Sequence, residues 1–369
     1  MEYQELKECA KYSNLRTSTF TKDTYISTEN MLPNKGGVAS IDSIPTCKTM
    51  AKYEPADILI SNIRPYFCKI WFATREGGCS NDVLVIKTKK ELYPKFLYYV
   101  LSDKNFFNYA TITSKGTKMP RGNKNAIMKY LVPKISPLTQ QKIASILSAY
   151  DRLIENNTRR IRLLEQMAEN LYKEWFVRFR FPEHENVEMV NGLPKGWKIE
   201  KLGDYANIST GKCNREDAEE DGIYPLFDRS QEIKKSSKWI KDCEAIIVPG
   251  EGTSFIPRYY KGKFNLHQRC YCIEPIIKNT GFYLFYSIML NRKYFLSVAT
   301  GATVPSLRQN NFTKMKLIIA ELELVKKYNK VANTIALQID KLKEQNQLLT
   351  RQRDLLLPRL MSGKLEVKS

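Results

Sequence analysis

With 369 residues, 43% of them hydrophobic, the chain is too long for one ordinary domain and apolar enough to bury real cores, which excludes a wholly disordered polymer. Its 59 Lys and Arg against 39 Asp and Glu leave a net charge of +20, and that balance points to a polyanionic partner, because cations that neutralise phosphates release condensed counterions. The longest apolar runs, such as FYLFYSIML at residues 282–290, are about half a membrane span, and MEYQELKE is neither a basic nor an apolar leader, so a soluble, cytoplasmic chain with no membrane partner is expected.

In chain order, QELKECAKYS (residues 4–13) leads into DILISNIRPYFCKIWFA (57–73) and NDVLVIKT (81–88). Both later runs are rich in β-branched and aromatic residues and bounded by Gly, Pro and Asn, the signature of strands. YPKFLYYVLSD, around Phe96, reads as a short helix with an aromatic core face. Residues 114–134 then carry Lys115, Lys118, Arg121, Lys124, Lys129 and Lys134 with no acid.

Ser136 and Pro137 form an N-cap and first-turn proline. From there Ile146, Tyr150, Leu153, Asn157, Ile161, Leu164, Ala168, Leu171 and Trp175 recur at helical steps, up to a close near Phe181 and Pro182. LPKGWKIEKLGD (193–204) opens a second segment with strand runs EAIIVPG (244–250) and QRCYCIEPII (268–277) and a helical run, GFYLFYSIMLN, around Phe285. A second long helix carries Ile335, Ile339, Leu342, Asn346, Leu349, Leu356 and Leu360, with Pro358 expected to kink or fray its last turn before an end near Ser362 and Gly363.

The chain says much of this twice. GTKMPRGNKNAIMKYLV and GATVPSLRQNNFTKMKLI share Gly116/Gly301, Pro120/Pro305, Asn125/Asn310 and Lys129/Lys314 at one offset, 301 − 116 = 185. Leu6/Leu202, Ala10/Ala206 and Ser13/Ser209 match upstream at 202 − 6 = 196, and Asp151/Asp340, Leu153/Leu342, Glu155/Glu344 and Asn157/Asn346 downstream at 340 − 151 = 189. Ordered anchors with slightly drifting offsets are what loop insertions produce in a duplicated unit.

The expected fold is therefore α+β: two mixed α/β modules (1–135 and, with its linker, 182–320) joined by two long antiparallel helices (136–181 and 321–369) that pair as a coiled coil, with a pseudo-two-fold relating the halves. Each apolar stripe runs about 40 residues, or ~60 Å, longer than a globular helix needs. The seam expected is Ile146, Tyr150, Leu153, Asn157, Ile161 and Leu164 against Ile335, Ile339, Leu342, Asn346 and Leu349, the two asparagines setting register.

No phosphate-binding GxxxxGK[ST], no glycine-rich cofactor turn and no Asn-Pro-Pro-aromatic tetrad occurs, and His184 and His267 lack partners at triad or metal-ligand spacing. The CxC of Cys270 and Cys272 has no second pair, so no metal site is expected, and reduced thiols are the simpler reading of eight cysteines. Catalytic residues are expected to be none. A self-contained methyltransferase or nuclease with fused recognition modules, or a coiled-coil scaffold binding only proteins, are the rival readings.

With LPKGWKIEKLGD, ADILISNIRPYF, GTKMP and GATVP, PLTQQKIASILSAYDRLIENN, LLEQMAENLYKEWFV and LLPRLMSGKLEV in this order, essentially the whole chain resembles the specificity subunit of type I restriction-modification enzymes. One departure stands out: the first module lacks the lead-in that Pro194, Gly196 and Trp197 give the second. The resemblance implies that each module is a target recognition domain reading half of a bipartite site in double-stranded DNA. It implies paired helices that set the gap and dock two modification subunits, which supply S-adenosylmethionine chemistry. Restriction subunits would add ATP- and Mg-dependent translocation and cleavage, leaving this chain without a cofactor of its own.

Arginine suits guanine, Asn and Gln suit adenine, and Lys, Arg, Ser and Thr grip phosphates. The candidate DNA-binding residues are Asn34, Lys35, Arg64, Tyr66, Lys115, Lys118, Arg121 and Lys124 in the first module. In the second they are Lys212, Asn214, Arg215, Arg229, Lys234, Thr253, Arg258, Arg269, Ser306 and Arg308. Ordinary surface charge is the alternative for each, and the Lys115 to Lys124 cluster is the strongest.

Overall fold

A computed structural model describes residues 2–361 and Leu365. The chain divides into two compact units, Met1–Thr158 with Glu344–Ser369, and Arg159–Lys343, so that each unit holds part of both long helices.

In the first unit, strand Tyr3–Glu5 pairs with Leu131–Pro133, tying the start of the module to its exit. An antiparallel sheet follows in the order Ala10–Tyr12, Val83–Thr88, Ile58–Ser61, Ile70–Phe72. Two-residue alternation sorts its side chains: Ile58, Ile60, Leu84 and Ile86 face helices Pro94–Ser102 and Lys104–Ile112 through Phe96, Leu97 and Phe106. Leu59, Val83 and Val85 face the other way, onto a small second sheet of Arg16–Thr17, Met50–Tyr53, Gly77–Cys79 and Tyr25–Ile26.

The second unit repeats the plan. Lys198–Lys201 pairs with Lys316–Ile319. Its sheet runs Ala206–Thr210, Cys270–Pro275, Lys241–Pro249, Arg258–Leu266, then Tyr224–Phe227 and Lys234–Ser236, so the first four strands reproduce the order of the other unit. Ile246, Val248, Tyr271 and Ile273 join the helix-side core, while Ala245, Ile247, Cys270 and Cys272 join the opposite one with Phe227, Phe264 and Leu266. The CxC is thus two thiols of one strand packed into one apolar layer. The register repeats too: Gln4 lies opposite Val132 as Glu200 lies opposite Leu317, at the sequence offsets 200 − 4 = 196 and 317 − 132 = 185.

The first long helix, Pro137–Tyr172, opens where Ser136 Oγ accepts from Thr139 N (3.2 Å) and continues as a π-helical turn, Lys173–Val177. It stops short of the expected Phe181 and Pro182, because Phe179 adopts a left-handed conformation (φ 58°) and turns the chain. The second, Leu322–Met361, carries Pro358 inside its last turns; the end expected at Ser362 and Gly363 lies outside the described residues.

Within the first unit Arg353 meets Asp151 (2.6 Å), and Asn157 Nδ2 donates to Gln345 Oε1 (3.0 Å), contacts that rise along one helix as they fall along the other. Within the second unit, Tyr328 Oη donates to the carbonyl of Ala168 (3.2 Å) and Lys343 approaches Glu165 (4.0 Å), again antiparallel. Asn157, Ile335, Ile339 and Leu342 are buried, and Ile146, Tyr150, Ile161, Leu164, Asn346 and Leu349 half-buried.

Two expectations change. Leu153 is 50% exposed, and Ile154 turns inward instead, because Leu147, Ile154, Asn157, Ile161, Leu164 and Ala168 keep the three- and four-residue steps of one face. Asn157 and Asn346 bond to other partners: Asn346 Nδ2 donates to Thr158 Oγ1 (3.3 Å) and the carbonyl of Ile154 (3.4 Å). Among the described residues no helix is long and apolar enough to cross a membrane.

Candidate nucleic-acid interface

The duplicated GTKMP and GATVP segments fold as matching hairpins. Lys115 and Arg121 exchange two backbone hydrogen bonds (2.9 Å each), as Thr300 and Ser306 do (2.9 and 2.8 Å). Gly116 (φ +96°) and Gly301 (φ +117°) make the turn possible, which explains why this glycine occurs in both copies.

Each hairpin is sewn to the loop after a central strand. In the first unit Arg64 N donates to the carbonyl of Pro120 (2.8 Å) and Gly122 N to that of Asn62 (2.9 Å). In the second, Gly252 N donates to Pro305 O (3.0 Å) and Leu307 N to Gly250 O (2.8 Å). The two sets coincide at 305 − 120 = 185 and 252 − 64 = 188, so the loops repeat along with the sheets.

The first unit thereby gathers its candidates. Asn34 N and Lys35 N donate to the carbonyls of Phe67 and Cys68 (2.8 and 2.9 Å), bringing residues 34 and 35 beside Tyr66. Tyr66 and Phe67 are exposed with rings 4.8 Å apart. Lys115, Lys118, Arg121 and Lys124 are exposed on the hairpin and on the short helix Lys124–Ile127, whose N-terminus is capped by the Asn123 side chain. Two candidates have acidic partners: Lys35 pairs with Asp354 (3.2 Å) and is mostly covered, and Arg121 pairs with Asp82 (3.2 Å) while staying 60% exposed.

The second unit splits its candidates. Arg229 and Arg269 converge on Glu251, which bridges to Ser306 of the hairpin. Lys212 and Asn214 join this edge because Lys212 N donates to Leu266 O (3.1 Å) and Gln268 Nε2 to Asn214 Oδ1 (2.7 Å). Thr253 and Arg308 are exposed, and Ser306 is half-buried in the bridge. The side chain of Arg215 lies outside the described residues.

Lys234 and Arg258 are instead drawn inward onto Asp228 and its loop. Lys234 Nζ binds the buried Asp228 carboxylate (2.6 Å), and Arg258 donates to the carbonyls of Asp228 (2.6 Å) and Ser230 (2.8 Å) with its guanidinium over the Phe227 ring. Burial alone would raise the Asp228 carboxyl, but hydrogen bonds from Lys234 and Ser230 outweigh it and hold it at about 2. Burial acts in the same direction on Glu251, and there too the paired arginines prevail, leaving it below the usual carboxylate range. His267, also buried, is pushed down and accepts from Arg269 N at Nδ1 (3.0 Å), so it serves as a structural acceptor.

Glu251, Asp228 and Asp82 escape a sequence reading that searches for cations. The flanking Gly250 and Gly252 at the end of EAIIVPG are the available signal for Glu251. Among the described residues no group of three or more His, Cys, Asp or Glu is placed to hold a metal ion.

The family model described as "Type I restriction modification DNA specificity domain" matches residues 4–166 and again 194–353, once for each copy. The type I restriction enzyme MjaIX specificity subunit of Methanocaldococcus jannaschii is 27% identical over 307 residues, covering 76% of this chain and 71% of that protein. The EcoDI specificity subunit of Escherichia coli is 32% identical over 177 residues, covering 47% and 39%. The crystal structure of a type I restriction-modification system S subunit from M. genitalium has the same fold, with a TM-score of 0.61 at 16% identity, covering 100% of this chain and 96% of that one. The chain therefore belongs to the type I restriction-modification specificity subunit family, whose role is recognition of DNA sequence and not catalysis.

Proposed function

We propose that each module reads one half of a bipartite DNA site, residues 1–135 as the first target recognition domain and 182–320, with its linker, as the second. The observation that carries this reading is the shared loop architecture: the same hairpin is stitched to the same strand end in both units, yet it presents Lys115, Lys118 and Arg121 in one and Thr300, Thr303 and Ser306 in the other. Equal scaffolds with unlike side chains suit two unlike half-sites. Exposed Lys and Arg supply the phosphate grip, and side chains of the stitched loops supply base contacts.

The long helices Pro137–Tyr172 and Leu322–Met361 hold the two readers at a set helical phase, which a gapped site requires. Their outward faces dock two modification subunits, the source of S-adenosylmethionine chemistry, and restriction subunits bring the ATP and Mg. Exchanging residues 1–135 for the first module of another family member, in the complex with modification subunits, tests the division of labour. Mapping methylated bases should show one half-site replaced and the other kept. If both halves changed, or neither, the two-reader assignment would be wrong.

A further inference from the structure

We infer that Glu251 makes the Arg229 and Arg269 pair a reader of guanine and not a phosphate clamp, so that the half-site of the second module contains at least one G·C pair read in the major groove. The inference rests on the proposal that this module reads one half-site.

The geometry is specific. Arg229 Nη1 donates to Glu251 Oε2 (2.6 Å), and Arg269 Nη1 donates to Oε1. Each carboxylate oxygen therefore holds one guanidinium. Glu251 is only 16% exposed, whereas the arginines are 45% and 55% exposed, so the acid lies beneath and the cations outward. The backbone of the acid is held in place, bridged to Ser306 and flanked by the Gly252 to Pro305 and Leu307 to Gly250 hydrogen bonds. The backbone of Arg269 is held as well, its main-chain N–H donating to His267 Nδ1.

A guanidinium has five N–H donors in a rigid fork, so one bond to Glu251 leaves others free while fixing the rotamer. Guanine offers O6 and N7, two neutral acceptors that match the fork. A phosphate would approach with a negative charge beside the carboxylate and meet repulsion that a base edge does not. At the equivalent place the first module has Ile63 where the second has Glu251, next to Arg64 and bridged to Arg121, which is held by Asp82. The acid-braced pair thus belongs to one half-site only.

The test uses the full chain assembled with its modification subunits and measures methylation of duplexes randomised at each recognised position. Wild type should prefer G·C at one or two positions in the half assigned to residues 182–320. Arg229→Lys or Arg269→Lys keeps the charge but loses the fork, and should lower that preference roughly tenfold or more while the other half-site is unchanged. Glu251→Gln should lower it too, and should raise affinity for random DNA with a steeper salt dependence. Placing 7-deazaguanine at the preferred position, with unaltered protein, should slow methylation about tenfold by removing one acceptor.

Lysine variants that weakened binding to all sequences equally, with base preference intact, would overturn the inference and leave the two-reader assignment standing. So would indifference to 7-deazaguanine, or a half-site lacking G·C. If no sequence preference followed residues 182–320 at all, the assignment itself would fail.

Discussion

Replacing Asp228 by Asn asks whether Lys234 and Arg258 hold DNA or hold the fold. Asp228 is 5% exposed, accepts Lys234 Nζ at 2.6 Å, and accepts Ser230 N and Oγ at 2.8 and 2.6 Å. Its carboxyl is depressed from 3.8 to about 2. A depressed folded-state value means that the stabilisation is complete well above pH 3.8 and is lost as pH falls toward 2. At 1.36 kcal/mol per pH unit, the ionised form contributes about 2 kcal/mol at pH 7 and about 1 kcal/mol at pH 3.

Asp228→Asn should therefore cost about 2 kcal/mol in urea unfolding at pH 7 and about half that at pH 3, followed by circular dichroism at both. Lys234→Met should be destabilising to a similar degree at pH 7, because it leaves the carboxylate buried without its cation. Neither variant should change DNA affinity per folded complex. An Asp228→Asn cost that is the same at both pH values would refute the charge argument. Unchanged stability with weakened DNA binding would return Lys234 to the interface.

In the hairpin of the first module Lys118 is exposed and Arg121 is 60% exposed beside Asp82, so Lys118→Ala with Arg121→Ala should weaken DNA binding by the assembled complex and reduce the slope of log affinity against log salt by about 2; unchanged affinity and slope would remove the cluster from the interface. Gly301→Ala forces an L side chain to φ +117° and sets its Cβ 2.6 Å from the Val304 carbonyl oxygen, so it should cost about 1–3 kcal/mol of stability. Gly116→Ala, whose Cβ would find its nearest neighbour at 3.5 Å, should cost less in the same thermal unfolding assay.

The duplication, the strand and helix runs and the antiparallel helices were legible in sequence because they rest on local regularities: two-residue alternation, helical stripes and repeat anchors that recur in one order at nearly constant offsets. Other features depended on partners distant in sequence. Leu153 and Ile154 both fit an apolar stripe within one turn, and only the packed partner helix chose between them. Phe179 ended the first helix through a local reversal that its sequence does not announce.

The site shows the same division. Sequence supplied a stock of exposed cations, since charge and loop position suffice to propose them. Only the tertiary structure separated Arg258 and Lys234, drawn down onto Asp228, from Arg229 and Arg269, held outward on Glu251. Asp228 precedes Arg229 directly and Glu251 lies 22 residues beyond Arg229, while Arg258 opens strand Arg258–Leu266 and Arg269 lies in the turn that follows that strand. The role of a cation depends on whether a buried carboxylate takes its donors inward or braces it from below, and that is fixed by which strands become neighbours.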